Sequence, residues 1–170
     1  MCGIVGYVGP KEAVSFLLEG MEKLDYRGYD SAGIAILEKG EIKIEKSVGR
    51  LVFLEKLINQ NKEKLTGTIG IGHTRWATHG RPSTINSHPH TDCDGNFVVV
   101  HNGIIENYQS LKEMLVKRGH IFRSETDTEV VAHLLEEFYD GDFLTAVQKT
   151  LKKLEGSYAL VFLSKYEPDT

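Results

Sequence analysis

At 170 residues, with 41% hydrophobic and 26% charged side chains, the chain has the size and balance of one folded domain with a substantial core. A net charge of −4 argues against the broad basic footprint of a nucleic-acid binder, and no apolar run is long enough to span a membrane. Two cysteines, Cys2 and Cys93, are too few for a disulfide framework; with no secretory signal visible, a reducing cytoplasm is the expected compartment.

In chain order, Ile4 to Val8 is a short apolar run stopped by Gly9-Pro10, which predicts a buried strand. Lys11 to Leu24 carries Val14, Leu17, Leu18, Met21 and Leu24 at helical spacing. Ile34 to Leu37 and Glu41 to Glu45 flank Lys39-Gly40 and predict a hairpin; Leu51 to Ile58 predicts a helix and Thr68 to His73 a strand. Phe97 to His101 is a continuous apolar strand ending at Asn102-Gly103. Helices are expected over Glu106–Arg118, closed by Gly119, over Thr128–Phe138, closed by Asp140-Gly141, and over Asp142–Leu154, before a last strand from Tyr158 to Leu163. Strands and helices fall in groups, which predicts an α+β layered fold and not a doubly wound parallel sheet. There is no repeat, linker or low-complexity segment, so residues 1–170 read as one domain.

The chemistry starts at Cys2. If Met1 is removed, Cys2 carries both a thiol and a free α-amine. An ordinary thiol titrates near ~8.5 and an α-amine near ~7.7–8.0, so the amine can take the thiol proton without help from a distant histidine. The alternative for Cys2 is a small, inert residue at the start of a strand. Asn102-Gly103 offers an amide side chain and an unobstructed backbone N–H for an oxyanion, although Asn-Gly is also a leading hairpin-turn signal. Arg75 presents a planar fork suited to a carboxylate, or an exposed surface charge. Asp127 can accept from an ammonium, or cap the helix that follows, or do both. Trp76, the only tryptophan, stands among polar and Gly/Pro-rich neighbours, which favours a loop over a core aromatic. Cys93, in Thr91-Asp92-Cys93-Asp94-Gly95, reads as an ordinary thiol on a polar turn. His73, His79, His88, His90, His101 and Cys93 raise a metal hypothesis, but no paired ligand spacing supports it, and no metal is expected.

Five ordered stretches carry a family resemblance: Cys2 to Gly6, Tyr26 to Gly33, His73 to Gly80, His101 to Asn107 and Ser124 to Glu129. Together they resemble the N-terminal-nucleophile (class II) glutamine amidotransferases, and within them the glutaminase domains of the glucosamine-6-phosphate synthases, over essentially the whole chain. Trp76 and Thr78-His79-Gly80 point to that branch and away from the purine-pathway phosphoribosyl-diphosphate amidotransferases, which remain the alternative enzyme; a non-catalytic metal-binding module is the alternative of another class. The resemblance implies a four-layer αββα sandwich of mostly antiparallel sheets and no cofactor. It implies that Cys2 attacks L-glutamine, with Asn102 and Gly103 as oxyanion donors. Arg75 and Asp127 would hold the amino-acid end, Trp76, Thr78 and His79 would close over it from a loop spanning Arg75–Ser83, His88 would line the pocket, and Arg27 would position the N-terminus, although a plain surface arginine is nearly as good a reading. It further implies that sugar-isomerase domains lie beyond Thr170, that ammonia passes to them to aminate fructose 6-phosphate, and that the longer enzyme is a homo-oligomer. Within residues 1–170 no Gly-rich P-loop for a sugar phosphate is found.

Overall fold

The structure, a computed structural model, describes residues 2–24, 26, 30–61, 64–76 and 80–168. Among these the chain runs β1 (Gly3–Val8), α1 (Ala13–Glu22), β2 (Ser31–Glu38), β3 (Glu41–Val48), α2 (Leu51–Gln60), β4 (Ile69–Arg75), β5 (His90–Thr91), β6 (Phe97–Ile105), α3 (Tyr108–Lys117), α4 (Glu129–Phe138), α5 (Phe143–Leu151) and β7 (Gly156–Ser164). One antiparallel sheet has the order β1-β4-β2-β3 and the other β5-β6-β7.

Alternation along the strands sorts the side chains into layers. On β2, Ala32, Ile34 and Ile36 face Ala13, Leu17 and Met21 of α1 and Leu51 and Leu54 of α2, while Ala35 on the opposite face meets Ile71, Val98, Val100 and Leu163 between the sheets. On the far side Val99 and Ile105 of β6 pack under Leu111 and Leu115 of α3 and Val130, Val131 and Leu134 of α4. Helices, sheet, sheet, helices: the expected α+β, αββα order is the observed one. Each fully buried aliphatic side chain contributes about 1.5–3 kcal/mol, so three apolar seams hold four layers together. The hairpin turns at Lys39-Gly40, both residues at positive φ (52° and 80°), the conformation whose twist matches the flanking strands.

Several strands run longer than the sequence reading, β2 from Ser31, β3 to Val48, β4 to Arg75 and β7 from Gly156, because ladder pairing extends them, and one strand has no counterpart in that reading. The β6 strand does not end at Asn102-Gly103 but continues to Ile105, because β7 pairs with it all the way, Asn102 opposite Ala159 and Ile105 opposite Gly156. The two-residue β5 is too short to show a periodicity. No helix among the described residues is long and apolar enough to cross a membrane.

Candidate active site

Four polar side chains stand on the inner faces of the two sheets by the same alternation that fills the core. On β4, Ile69 and Ile71 point between the sheets, so His73 and Arg75 do too. Cys2 lies two residues before Ile4, an inward residue of β1, and the pairing of Gly3 with Thr74 brings it alongside Arg75 and Trp76. From the facing sheet Val98 and Val100 point inward, so Asn102 follows. The apolar seam thus ends in a polar patch formed by Cys2, His73, Arg75 and Asn102.

The patch is organised by hydrogen bonds. The Trp76 N–H donates to Cys2 Sγ at 3.2 Å. Asn102 Nδ2 donates to the Cys2 carbonyl at 3.1 Å, while its Oδ1 lies 2.9 Å from His73 Nε2. His73 Nε2 also faces the His101 carbonyl at 3.0 Å. Both of those partners are acceptors, so Nε2 carries the proton, and that proton fixes the Asn102 amide with its nitrogen toward Cys2. Burial drives the His73 imidazole down to about 4, against which the Asn102 and His101 hydrogen bonds push only weakly; the ring is neutral at pH 7. Behind it His88 stacks at 4.1 Å between ring centroids and meets His90 edge-on at 4.8 Å. Burial lowers His88 and His90 well below the ordinary histidine value.

Gly103 stands next to Asn102 at φ 129°, and a Cβ there would come within 2.1 Å of the Ser157 carbonyl. Only glycine fits: the backbone conformation and the proximity of β7 both exclude a side chain. Arg75 is buried, donating to the Gly80 carbonyl at 3.0 Å. Burial pulls its guanidinium down from its ordinary value, opposed by the charges of Cys2, Asp30 and Asp127. Both Asp30 and Asp127 thus act electrostatically on Arg75. Asp127 is itself buried, and its Oδ2 accepts the Ile105 N–H at 2.8 Å. It does not cap α4: the cap position is Thr128, with no side-chain cap bond, because the Asp127 carboxylate is turned to β6.

The structure brings together Cys2, Arg75, Asn102, Gly103 and Asp127, with the Trp76 backbone on the thiol and its ring 43% exposed. His88 is placed one ring behind His73, buried, with its Nδ1 accepting the His101 N–H at 3.3 Å. It supports the patch from beneath. Met1, Arg27, Thr78 and His79 lie outside the described residues. Past Gly80, Asn86 ties the loop down: its Nδ2 donates to the Arg81 carbonyl and to Glu125, both at 3.0 Å, and its Oδ1 accepts the Glu125 N–H at 2.9 Å. Sequence reasoning gave no role to His73 beyond a metal candidate, and none to Asp30 or Asn86. His73 and Asp30 fall within two of the five motif stretches; Asn86 falls in none of them.

Comparison with known proteins follows the same lines. A profile of the glutamine amidotransferase domain matches residues 73–169. The glutamine–fructose-6-phosphate aminotransferase [isomerizing] of Caldanaerobacter subterraneus subsp. tengcongensis is 60% identical over 169 residues, 99% of this chain and 28% of the relative. The protein of the same name from Pyrococcus horikoshii is 57% identical over 171 residues, again 99% of this chain and 28% of its own length. The chain therefore spans between a quarter and a third of the curated relatives it matches. Among solved structures, a glutamine phosphoribosylpyrophosphate amidotransferase from B. subtilis, complexed with ADP and GMP, superposes with a TM-score of 0.82 at 28% identity, covering 97% of this chain and 35% of that one.

Proposed function

The chain belongs to the glutamine amidotransferase domain family, and on that premise we propose that the Cys2 site hydrolyses L-glutamine to glutamate and ammonia. The observation that carries the reading is the convergence on one residue, Cys2, of the Trp76 N–H and the oriented Asn102 amide, beside a buried Arg75 on which the Cys2 and Asp127 charges both act. The thiol proton passes to the Cys2 α-amine, exposed by removal of Met1, and sulfur attacks the γ-carbonyl carbon. Asn102 Nδ2 has two N–H groups, one for the Cys2 carbonyl and one for the oxyanion; the Gly103 N–H is the second donor. Collapse breaks the C–N bond, the ammonium of Cys2 returns a proton to the leaving ammonia, and water then cleaves the γ-glutamyl thioester. Arg75 pairs with the substrate α-carboxylate and Asp127 with its α-ammonium. Thr78 and His79 would complete a cover with Trp76, and Arg27 would hold the N-terminus.

In the longer enzyme the ammonia would be passed to sugar-isomerase domains and used to convert fructose 6-phosphate to glucosamine 6-phosphate. Identity of 57–60% with aminotransferases of that name, against 28% with the phosphoribosylpyrophosphate enzyme, supports this branch over the purine one. The test is ammonia release from glutamine, paired with intact mass. Chain lacking Met1 should be active, chain retaining Met1 nearly inert, and Cys2→Ala inactive. Equal turnover with and without Met1 would refute the α-amine as base. The chain alone should form no glucosamine 6-phosphate when fructose 6-phosphate is added; product would place the synthase chemistry within residues 1–170.

A further inference from the structure

A second set of titratable side chains lies apart from Cys2, and nothing in the proposed reaction uses it. Cys93, His120, His133 and Glu136 each direct one ligand atom into a common space, all four atoms within 4.8 Å of one another. We propose that these residues form a tetrahedral site for a zinc-class divalent cation, which clamps the β5–β6 loop and the segment after α3 onto α4.

Local structure aims each ligand. Asp92 accepts the Phe97 N–H at 2.8 Å, closing the short loop that presents Cys93. Helix α3 ends in a paired-bond stop: Gly119, at φ 100°, donates to the Val116 carbonyl at 3.0 Å and His120 to the Leu115 carbonyl at 3.1 Å, which fixes the direction in which His120 leaves the helix. On α4, His133 and Glu136 are three apart and share a face.

The distances suit zinc. Cys93 Sγ is 3.7 Å from His133 Nδ1 and 4.0 Å from His120 Nδ1. Glu136 Oε2 is 2.8 Å from His120 Nδ1 and 3.1 Å from His133 Nδ1. Bond lengths of about 2.3 Å to sulfur and about 2.0–2.1 Å to nitrogen and oxygen give tetrahedral edges of roughly 3.3–3.6 Å, so each of these four contacts needs to move by up to about half an ångström. The mixed thiolate, imidazole and carboxylate set is that of zinc and not of calcium or magnesium, which take oxygen.

The surroundings of the rings are an independent indication. Histidines that ligate through one nitrogen generally place the other against a carboxylate. His120 has that arrangement, its Nε2 lying 3.1 Å from Glu137 Oε2, while His133 Nε2 is buried 3.6 Å from Glu129 Oε1, near that carboxylate but beyond hydrogen-bond reach. With His120 Nε2 donating to Glu137, its Nδ1 lone pair faces a Glu136 oxygen, an acceptor–acceptor conflict that a cation between them resolves. The Ile121 N–H points at Cys93 Sγ at 3.4 Å, as a donor to a metal-bound thiolate would. Binding transfers the Cys93 thiol proton to solvent and forms the S–Zn bond.

The test is chelator-stripped chain titrated with zinc chloride against a chromophoric competitor, with cobalt(II) substitution to look for thiolate-to-metal charge transfer. One equivalent should bind, the melting temperature should rise on loading, Cys93→Ser and His120→Asn should each weaken binding by at least about tenfold, and Cys93→Ser alone should abolish the charge-transfer band. The near-isosteric Glu136→Gln serves the same purpose where the cysteine variant does not fold. Cys2→Ala should bind as the parent does. Absence of stoichiometric binding, binding unchanged by the Cys93 and His120 variants, or binding lost in Cys2→Ala and kept in Cys93→Ser would each overturn the proposal. Its failure leaves the glutaminase reading untouched, since ammonia release is measured separately.

Discussion

Two groups of histidines in this molecule show how the same side chain is given opposite characters. His73, His88 and His90 lie ring against ring, fully buried, with neutral hydrogen-bond partners such as the Asn102 amide and the Thr126 hydroxyl. His120 and His133 lie at the other end of β6 and along α4, surrounded by the carboxylates of Glu129, Glu136 and Glu137. In the first group burial outweighs every opposing influence, the Glu129 charge on His90 included, and lowers all three imidazoles; His73 then orients the amide beside Cys2. In the second, carboxylate oxygens stand within reach of the ring nitrogens, an arrangement that suits a metal ion among them. What separates the groups is direct contact: carboxylates reach the nitrogens of His120 and His133, whereas His73, His88 and His90 meet neutral partners and one another.

The sharpest way to separate the two regions is to disable one and read both. Cys2→Ala should abolish ammonia release and leave zinc affinity at the parent value. Asn102→Ala, removing an oxyanion donor, should lower kcat by about 10²–10³ with little change in zinc affinity; an unchanged kcat would remove Asn102 from the oxyanion site.

Acid should distinguish them next. A histidine lowered by folding contributes stability that is fully present above its unfolded value of about 6.5 and is lost as pH falls toward the folded value. For His73, with a folded value of about 4, this is on the order of 3 kcal/mol lost between pH 6.5 and pH 4. Urea midpoints across that range should therefore drop with falling pH, and His73→Asn should flatten the slope. Glu129 has the complementary window. Burial pushes its carboxyl up, but the neighbouring His133 ring and hydrogen bonds from Ser124 and Arg123 prevail and hold it at about 2, so its contribution persists until pH falls below about 4.5. The smallest effect should come from Glu137→Gln, which removes the carboxylate behind His120 and should weaken zinc binding by about tenfold, measured by the same competition titration.

Periodicity made most of the fold legible beforehand: the α1 spacing, the β2–β3 hairpin and the grouping of elements all correspond to observed structure. What escaped did so for physical reasons. Asn102-Gly103 carries a local turn signal, yet long-range pairing with β7 keeps it in a strand, with the positive φ of Gly103 accommodated inside the ladder. Asp127 precedes a helix and invites a capping assignment, but the Ile105 N–H, 22 residues away, takes the carboxylate. Cys93 looked solitary because its companions lie 27 and 40 residues downstream, across two helices. Local chemistry shows in the sequence; a choice between local and distant partners does not.

The alternation along β6 has an evolutionary consequence. Val98, Val100 and Asn102 face one layer while Phe97, Val99, His101 and Ile105 face the other, with His101 bonded to Thr128 at 2.9 Å at the start of α4. Losing or gaining a single codon between the Val98 and Asn102 positions would exchange the two faces beyond it, turning the amide away from Cys2 and bringing an imidazole in. Length changes are therefore expected in the connections at either end of the strand and not within it. Homologous chains can drift in residue identity along β6, but not in the number of residues that separate its core from its chemistry.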